Sequence, residues 1–179
     1  MLEPEKSAIR NPKPEINMAV VVRRATKDDA PIIAEYAMKL VEQHRSYDPI
    51  RFALLGSLEG MAWFYGSQTD VENAAVLVAE VEGRIAGFAY VTYVETDYLD
   101  LAVSAAQLQD IYVSEDARHS GAGNALIEAV VGIAMEFGAT KLLLSVAAKN
   151  AAAKEFFEQA GFVTTMHEMM LVPGHDSKK

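Results

Sequence analysis

Apolar positions recur at two different periods along this chain, and the switches between them mark its elements. "MAVVVRR", from residue 18, is short and β-branched and predicts a strand. Thr26 then precedes Asp29 at capping-box spacing. "DDAPIIAEYAMKLVEQHR" sets Ile32, Ile33, Tyr36, Ala37 and Leu40 on one helical face, with Pro31 in the first turn, where its missing N–H costs little. Across "SYDPIRFALLGSLEGMAWFYGSQTD" the periodicity is poor, which predicts short helices and loops, and Trp63, Phe64 and Tyr65 read there as core packing. "AAVLVAEV" and "RIAGFAYVTYVE" flank Glu82-Gly83 as the two strands of a hairpin. "ETDYLDLAVSA" is either loop or strand extension, and "AQLQDIYV" resumes as a strand.

The helical period returns in "DARHSGAGNALIEAVVGIAMEFG", residues 116–138, whose stripe runs Ala122, Ala125, Leu126, Ala129, Val130, Ile133, Ala134, Phe137 and stops at Gly138. "TKLLLSVAA" is almost wholly apolar and predicts a strand buried on both faces. Asn150 caps a helix "AAAKEFFEQA" that Gly161 ends, and "FVTTMHEMMLV" predicts a closing strand. Helices interleaved with strands and one hairpin imply an α/β class in the α+β sense: a mixed sheet with helices on both faces. The expected organisation is a flexible arm over residues 1–17, one domain over 18–173 and a flexible tail over 174–179.

Composition narrows the function. The chain has 179 residues, 51% of them apolar, and no apolar run of membrane-spanning length. Its first residues carry prolines and mixed charges in place of a signal core. Cys is absent, which excludes disulfides and thiolate catalysis and fits a cytoplasmic protein. His44, His119, His167 and His175 lack metal-ligand spacing, so no metal is expected. A formal net charge of −9 without any Lys/Arg cluster argues against nucleic acid as a partner.

The chemistry concentrates in "VSEDARHSGAGNAL", which joins a strand end to a helix start. A helix N-terminus presents unpaired N–H groups and partial positive charge, and Gly121 and Gly123 bare the backbone there for a phosphate, with Arg118 alongside. A dinucleotide fingerprint needs a third glycine where Leu126 stands, and a P-loop needs a Gly-Lys pair that the chain lacks.

What remains resembles the GNAT superfamily of acyl-CoA-dependent N-acyltransferases. Ile111-Tyr112-Val113, then Arg118-His119-Ser120-Gly121-Ala122-Gly123, follows that family's strand and pyrophosphate loop. Asn150, Ala153, Phe156, Phe157, Gly161 and Phe162 fall in register with its next conserved-pattern region, and the likeness runs over about residues 19–172. The resemblance implies a sheet splayed at its fourth and fifth strands, with acyl-CoA in the gap. Backbone groups of Ile111, Tyr112 and Val113 would hold the pantetheine, those of Arg118 through Gly123 the pyrophosphate, and Asn150 and Phe157 would flank the arm. The implied reaction is direct transfer of an acetyl group from acetyl-CoA to a primary amine of a small molecule or peptide. Dimerisation is common in that family, and the Met-rich "MHEMMLV" is the segment offered for it.

An alkyl amine with a pKa near 10.4 is free only to about one part in a few thousand at neutral pH, so a proton acceptor is wanted near the fourth strand. Asp110 is the candidate, with Gln109 beside it; strand alternation sends the two to opposite faces. Glu80, Glu82 and Glu95 are the alternatives. Phe157 stands where many members carry a tyrosine thought to protonate the departing thiolate. That departure keeps a second function open, a catalytically silent acyl-CoA-binding sensor.

Overall fold

The structure, a computed structural model, describes residues 19–53, 56–97 and 102–174. The expected arm over 1–17, and the tail beyond Gly174, lie outside them. Five strands form one sheet in chain order: β1 (Val20–Arg24), β2 (Ala74–Val81), β3 (Arg84–Asp97), β4 (Ala102–Val113) and β5 (Lys141–Leu144). All neighbours are antiparallel except β4 and β5, which run parallel through the crossover helix α3 (Ala122–Glu136). Helices α1 (Ala30–Tyr47) and α2 (Leu58–Gln68) cover one face; α3 and α4 (Ala151–Gln159) pack on the other.

Each face has its own core because strand side chains alternate. Toward α3 point Leu77, Ala79, Ala89, Val91, Ala106 and Leu108, meeting Leu126 and Val130; toward α1 and α2 point Val76, Val78, Phe88, Tyr90 and Tyr112, meeting Ile33, Tyr36 and Tyr65. Leu126, Val130 and Ile33 are fully buried, each stabilising the fold by about 1.5–3 kcal/mol.

Local signals are obeyed at the turns. Glu82 and Gly83 both take positive φ, 53° and 75°, the pair a two-residue hairpin requires. Before α1 the Asp29 carboxylate accepts from the Thr26 N–H at 2.7 Å and from the Thr26 hydroxyl at 3.0 Å. It also receives two hydrogen bonds from the Arg23 guanidinium, at 2.7 and 2.9 Å, and that partner holds its pKa far below the ordinary carboxylate range. Arg23 spans on to Glu80 on the neighbouring strand.

Two expectations at the end of the chain are corrected. β5 is four residues long and stands at the sheet's edge, half-exposed, so its apolar run does not mark a strand buried on both faces. Residues 162–172 form neither helix nor strand and pair with no strand among the described residues. Both expectations assumed a neighbour beyond β5, and periodicity reads a strand's character without its partners. The undecided "ETDYLDLAVSA" continues β3 and begins β4 in its described parts; Tyr98 to Leu101 lie outside the described residues.

Candidate active site

The site is made by what happens along β4. Its pairing with β5 runs from Ala105 opposite Lys141 to Leu108 opposite Leu144 and stops there, while pairing with β3 continues to Val113. Beyond Leu108 the edge of β4 away from β3 has no strand against it among the described residues.

A register slip coincides with the parting. Tyr90 faces Asp110 and Val91 faces Leu108, which leaves Gln109 as the extra residue of a β-bulge. The bulge cancels one step of alternation. Gln109 donates from Nε2 to Thr92 Oγ1 and Gln107 Oε1, both at 3.0 Å, and those residues share the α2-facing side with Tyr90 and Asp110. Gln109 and Asp110 therefore stand on one face, against the expectation from simple alternation.

Asp110 is the one carboxylate of β4, set under α2 among aromatic rings. Tyr65, buried at 6% exposure, donates from its hydroxyl to Asp110 Oδ2 at 2.9 Å. The Tyr65 ring packs edge-on against Phe88 and Tyr90 at 5.3 and 5.9 Å, so its position is set by packing. Burial raises the pKa of Asp110; the Tyr65 hydrogen bond and the charge of His44 on α1 pull it partly back. Burial and the neighbouring carboxylate together push the Tyr65 phenol well above its ordinary value, so it remains a donor. The result is a desolvated carboxylate with one oxygen held and a raised affinity for a proton.

Tyr65 and His44 were not legible as site residues. Tyr65 sits in an aromatic run whose expected role was packing; the only hint was that a buried phenol needs a partner. That packing role holds for Tyr65 but not for Trp63, which is 75% exposed. The alternative carboxylates are placed elsewhere: Glu80 is paired with Arg23, Glu82 occupies the hairpin turn, and Glu95 is exposed near the far end of β3.

The other component lies just past β4. Ile111 and Val113 pack toward α3 and Tyr112 toward α1, its ring tilted against that of Tyr36 at 5.5 Å. Their side chains are thus used in the two cores, and what they present along the unpaired edge of β4 is backbone. A 3-10 turn over Glu115–Ala117 follows, and Arg118 N–H closes on the Glu115 carbonyl at 3.3 Å. His119 then takes a left-handed φ of 66° and Gly121 one of 92°, which turns the chain into α3. Ser120 accepts from the Ala122 N–H at 3.3 Å, and exposed Arg118 lies 3.5 Å from Glu115.

The two loop glycines have different reasons. Gly121 has open space around an added Cβ, so its requirement is the left-handed backbone. Gly123 is inside the helix, and a Cβ there would lie 3.2 Å from the Phe156 ring of α4. Its small size lets α4 approach the start of α3.

Asn150 accepts from the Ala153 N–H at 3.1 Å and is the N-cap of α4 as expected. Phe157 is buried at 7% exposure, in ring contact with Phe156 and Phe162 and within the α3-side core. Among the described residues no three His, Asp or Glu side chains converge to hold a metal ion, and no helix is long and apolar enough to cross a membrane.

The chain matches the acetyltransferase (GNAT) family over residues 38–162, more than half its length, and belongs to that family, which makes it an acyltransferase. It is 28% identical over 143 residues to an uncharacterized N-acetyltransferase, YhfO, of Bacillus subtilis (strain 168), covering 79% of this chain and 88% of that protein. A mutant of the BH1408 protein from Bacillus halodurans shares its fold with a TM-score of 0.73 at 23% identity, over 85% of this chain and 98% of that one. Aminoglycoside N-acetyltransferase AAC(6')-Iy, solved in complex with CoA, does so with a TM-score of 0.71 at 17% identity, over 88% and 97%.

Proposed function

We propose that this acyltransferase moves an acetyl group from acetyl-CoA to a primary amine by direct attack, with Asp110 as the proton acceptor. The observation that carries the reading is the parting of β4 from β5 after Leu108, which joins an open backbone edge, a glycine turn and a buried carboxylate along one strand.

In this reading the outward N–H and C=O groups of residues 109–113 pair with the pantetheine amides as a further strand would. N–H groups from Arg118 to Gly123 close on the pyrophosphate, favoured by the positive end of α3. Bound there, acetyl-CoA supplies a thioester whose carbonyl carbon accepts the amine nitrogen as the carbon–sulfur bond breaks. The chain's contribution is to free the amine. Asp110, with its raised pKa, takes the ammonium proton directly or through one water, and Tyr65 keeps the carboxylate aimed while it does so. The acid carboxylate under aromatic rings also favours a cationic acceptor over an anionic one.

No phenol is available from Phe157, which lies in the core. A thiol pKa of about 8.5 makes the thiolate a tolerable leaving group, so turnover does not depend on one. The same residue motivates the second reading, a silent acyl-CoA sensor. Thiol release from acetyl-CoA across a panel of amines, peptides and amino acids separates the two, and the Cys-free chain adds no thiol background. Amine-dependent release supports transfer; tight acetyl-CoA binding without release for any amine, unaltered in Phe157→Tyr, supports the sensor.

A further inference from the structure

Two phenols flank Asp110, and α2 treats them in opposite ways. Tyr65 and Gln68, three positions apart, share a face of that helix. Tyr65 donates to the carboxylate at 2.9 Å. Gln68 takes a donor away from it: Tyr90, directly opposite Asp110 in the register of β3 and β4, donates its hydroxyl to Gln68 Oε1 at 2.9 Å.

The direction of the Tyr90 bond is fixed by the atoms behind it. The Ser67 hydroxyl donates to the Phe64 carbonyl at 2.6 Å, so its oxygen is left to accept, and it accepts from Gln68 Nε2 at 3.2 Å. That turns the amide carbonyl toward Tyr90, and a carbonyl only accepts. Tyr90 is 7% exposed, edge-on to Phe64 at 5.6 Å and to Tyr65 at 5.9 Å, and a phenol so buried needs an acceptor. Without Gln68, the acceptor facing it across the ladder is Asp110. Side chains directly opposite on antiparallel strands have Cβ atoms about 5 Å apart, less than the length of a tyrosine. Burial and the charge of Asp110 already hold the Tyr90 proton more tightly than usual.

We propose that Gln68 is a positioning residue for acetyl transfer: by engaging the Tyr90 hydroxyl it withholds a second hydrogen bond from Asp110 and leaves one carboxylate oxygen for the ammonium proton. This role stands on Asp110 being the proton acceptor. Every donor that a carboxylate accepts steadies its charged form and weakens it as a base. Tyr65 alone aims Asp110; a second phenol would occupy the working oxygen and undo part of what burial supplies. Tyr65 from α2, Tyr90 from β3 and His44 from α1 are the titratable groups that act on Asp110 or stand opposite it among the described residues, and Tyr90 is the one whose bond Gln68 decides.

A double-mutant cycle tests this, read both on the pH profile of kcat/KM for the amine and on the carbon NMR titration of the Asp110 carboxyl. Gln68→Leu is expected to move both midpoints down by about one pH unit and to lower the plateau of kcat/KM about tenfold, with KM for acetyl-CoA unchanged. Tyr90→Phe alone is expected to leave both midpoints in place. Gln68→Leu with Tyr90→Phe is expected to bring them back, a recovery that lost packing would not give. Gln68→Met carries the same expectation should the leucine variant fail to fold. A carboxyl midpoint unmoved in a folded Gln68 variant overturns the proposal and leaves Asp110 standing as the base. So does a double variant whose midpoints stay low, or a Tyr90→Phe variant that raises them by itself, because Tyr90 would then already bond Asp110. A carboxyl midpoint that moves while the kcat/KM limb stays put overturns Asp110 as the proton acceptor, and the role of Gln68 in transfer with it.

Discussion

Residues 105–108 of β4 lie between β3 and β5, with Ala105 and Ala106 wholly buried; residues 109–113 of the same strand have β3 on one side and, among the described residues, no strand on the other. In the first half, small apolar side chains allow close packing and the backbone is consumed by two ladders. In the second half the bulge at Gln109 turns the strand, one ladder ends, and a carboxylate takes a place that the core would otherwise fill. One strand thus changes from scaffold to site when its second neighbour leaves. Backbone polar groups without a ladder want another partner, and in an acyltransferase an amide-bearing substrate is the partner proposed.

The largest effect expected from disturbing the site half is that of Asp110→Asn. It should lower kcat/KM for the amine by about 100-fold or more while leaving KM for acetyl-CoA unchanged. In the parent, kcat/KM should rise with pH along a limb whose midpoint lies above the ordinary carboxylate value of about 4, and the variant should lack that limb. The sign for stability is opposite. A carboxyl whose pKa is raised on folding binds its proton more tightly in the native state, so stability falls as pH rises from the ordinary value through the raised one. Asp110→Asn should therefore melt higher than the parent at neutral pH. A variant with full activity would remove Asp110 from the chemistry.

Next in size is Gly87→Ala, which probes the strand pair that carries the site. An added Cβ would fall 2.5 Å from the Tyr112 carbonyl oxygen, a backbone atom that cannot rotate away. The expected loss is about 3 kcal/mol, read by denaturant unfolding. An unchanged midpoint would mean that β3 and β4 part more easily than their ladder suggests.

The loop glycines then separate from each other. Gly121→Ala forces a side chain into left-handed backbone and should cost about 1–2 kcal/mol. Gly123→Ala is expected to be close to neutral, because alanine's helix propensity offsets about 1 kcal/mol of the contact with Phe156. Both should raise KM for acetyl-CoA if the turn holds the pyrophosphate. Were Gly123→Ala to leave that KM untouched, its glycine would serve α4 packing alone.

Much of this was legible beforehand where the cause is local. The hairpin turn at Glu82-Gly83, the Thr26–Asp29 pair, the stripe of α3 and the Asn150 cap each depend on a few neighbouring residues, and each is formed. The glycine turn and Asp110 were legible as candidates for the same reason, since residue type and spacing around one strand end mark them. What was missed depends on partners far along the chain. Tyr65 meets Asp110 across 45 positions, a contact no spacing reveals. The bulge at Gln109 comes from register between β3 and β4, and the exposure of β5 from its having no second strand neighbour among the described residues.

By itself the sequence determined the order of elements from the first strand to α4, the apolar stripes of α1 and α3, and the family through a glycine turn and the residues in register around Asn150. Those properties follow from torsional preference and amphipathicity, which act over a few residues. Tertiary structure alone decided that β4 loses its second neighbour after Leu108, that Asp110 is desolvated beneath Tyr65, and that Gly123 is small for the sake of Phe156. Burial, pairing and close approach are relations between distant segments, and they come into being only when the chain is folded.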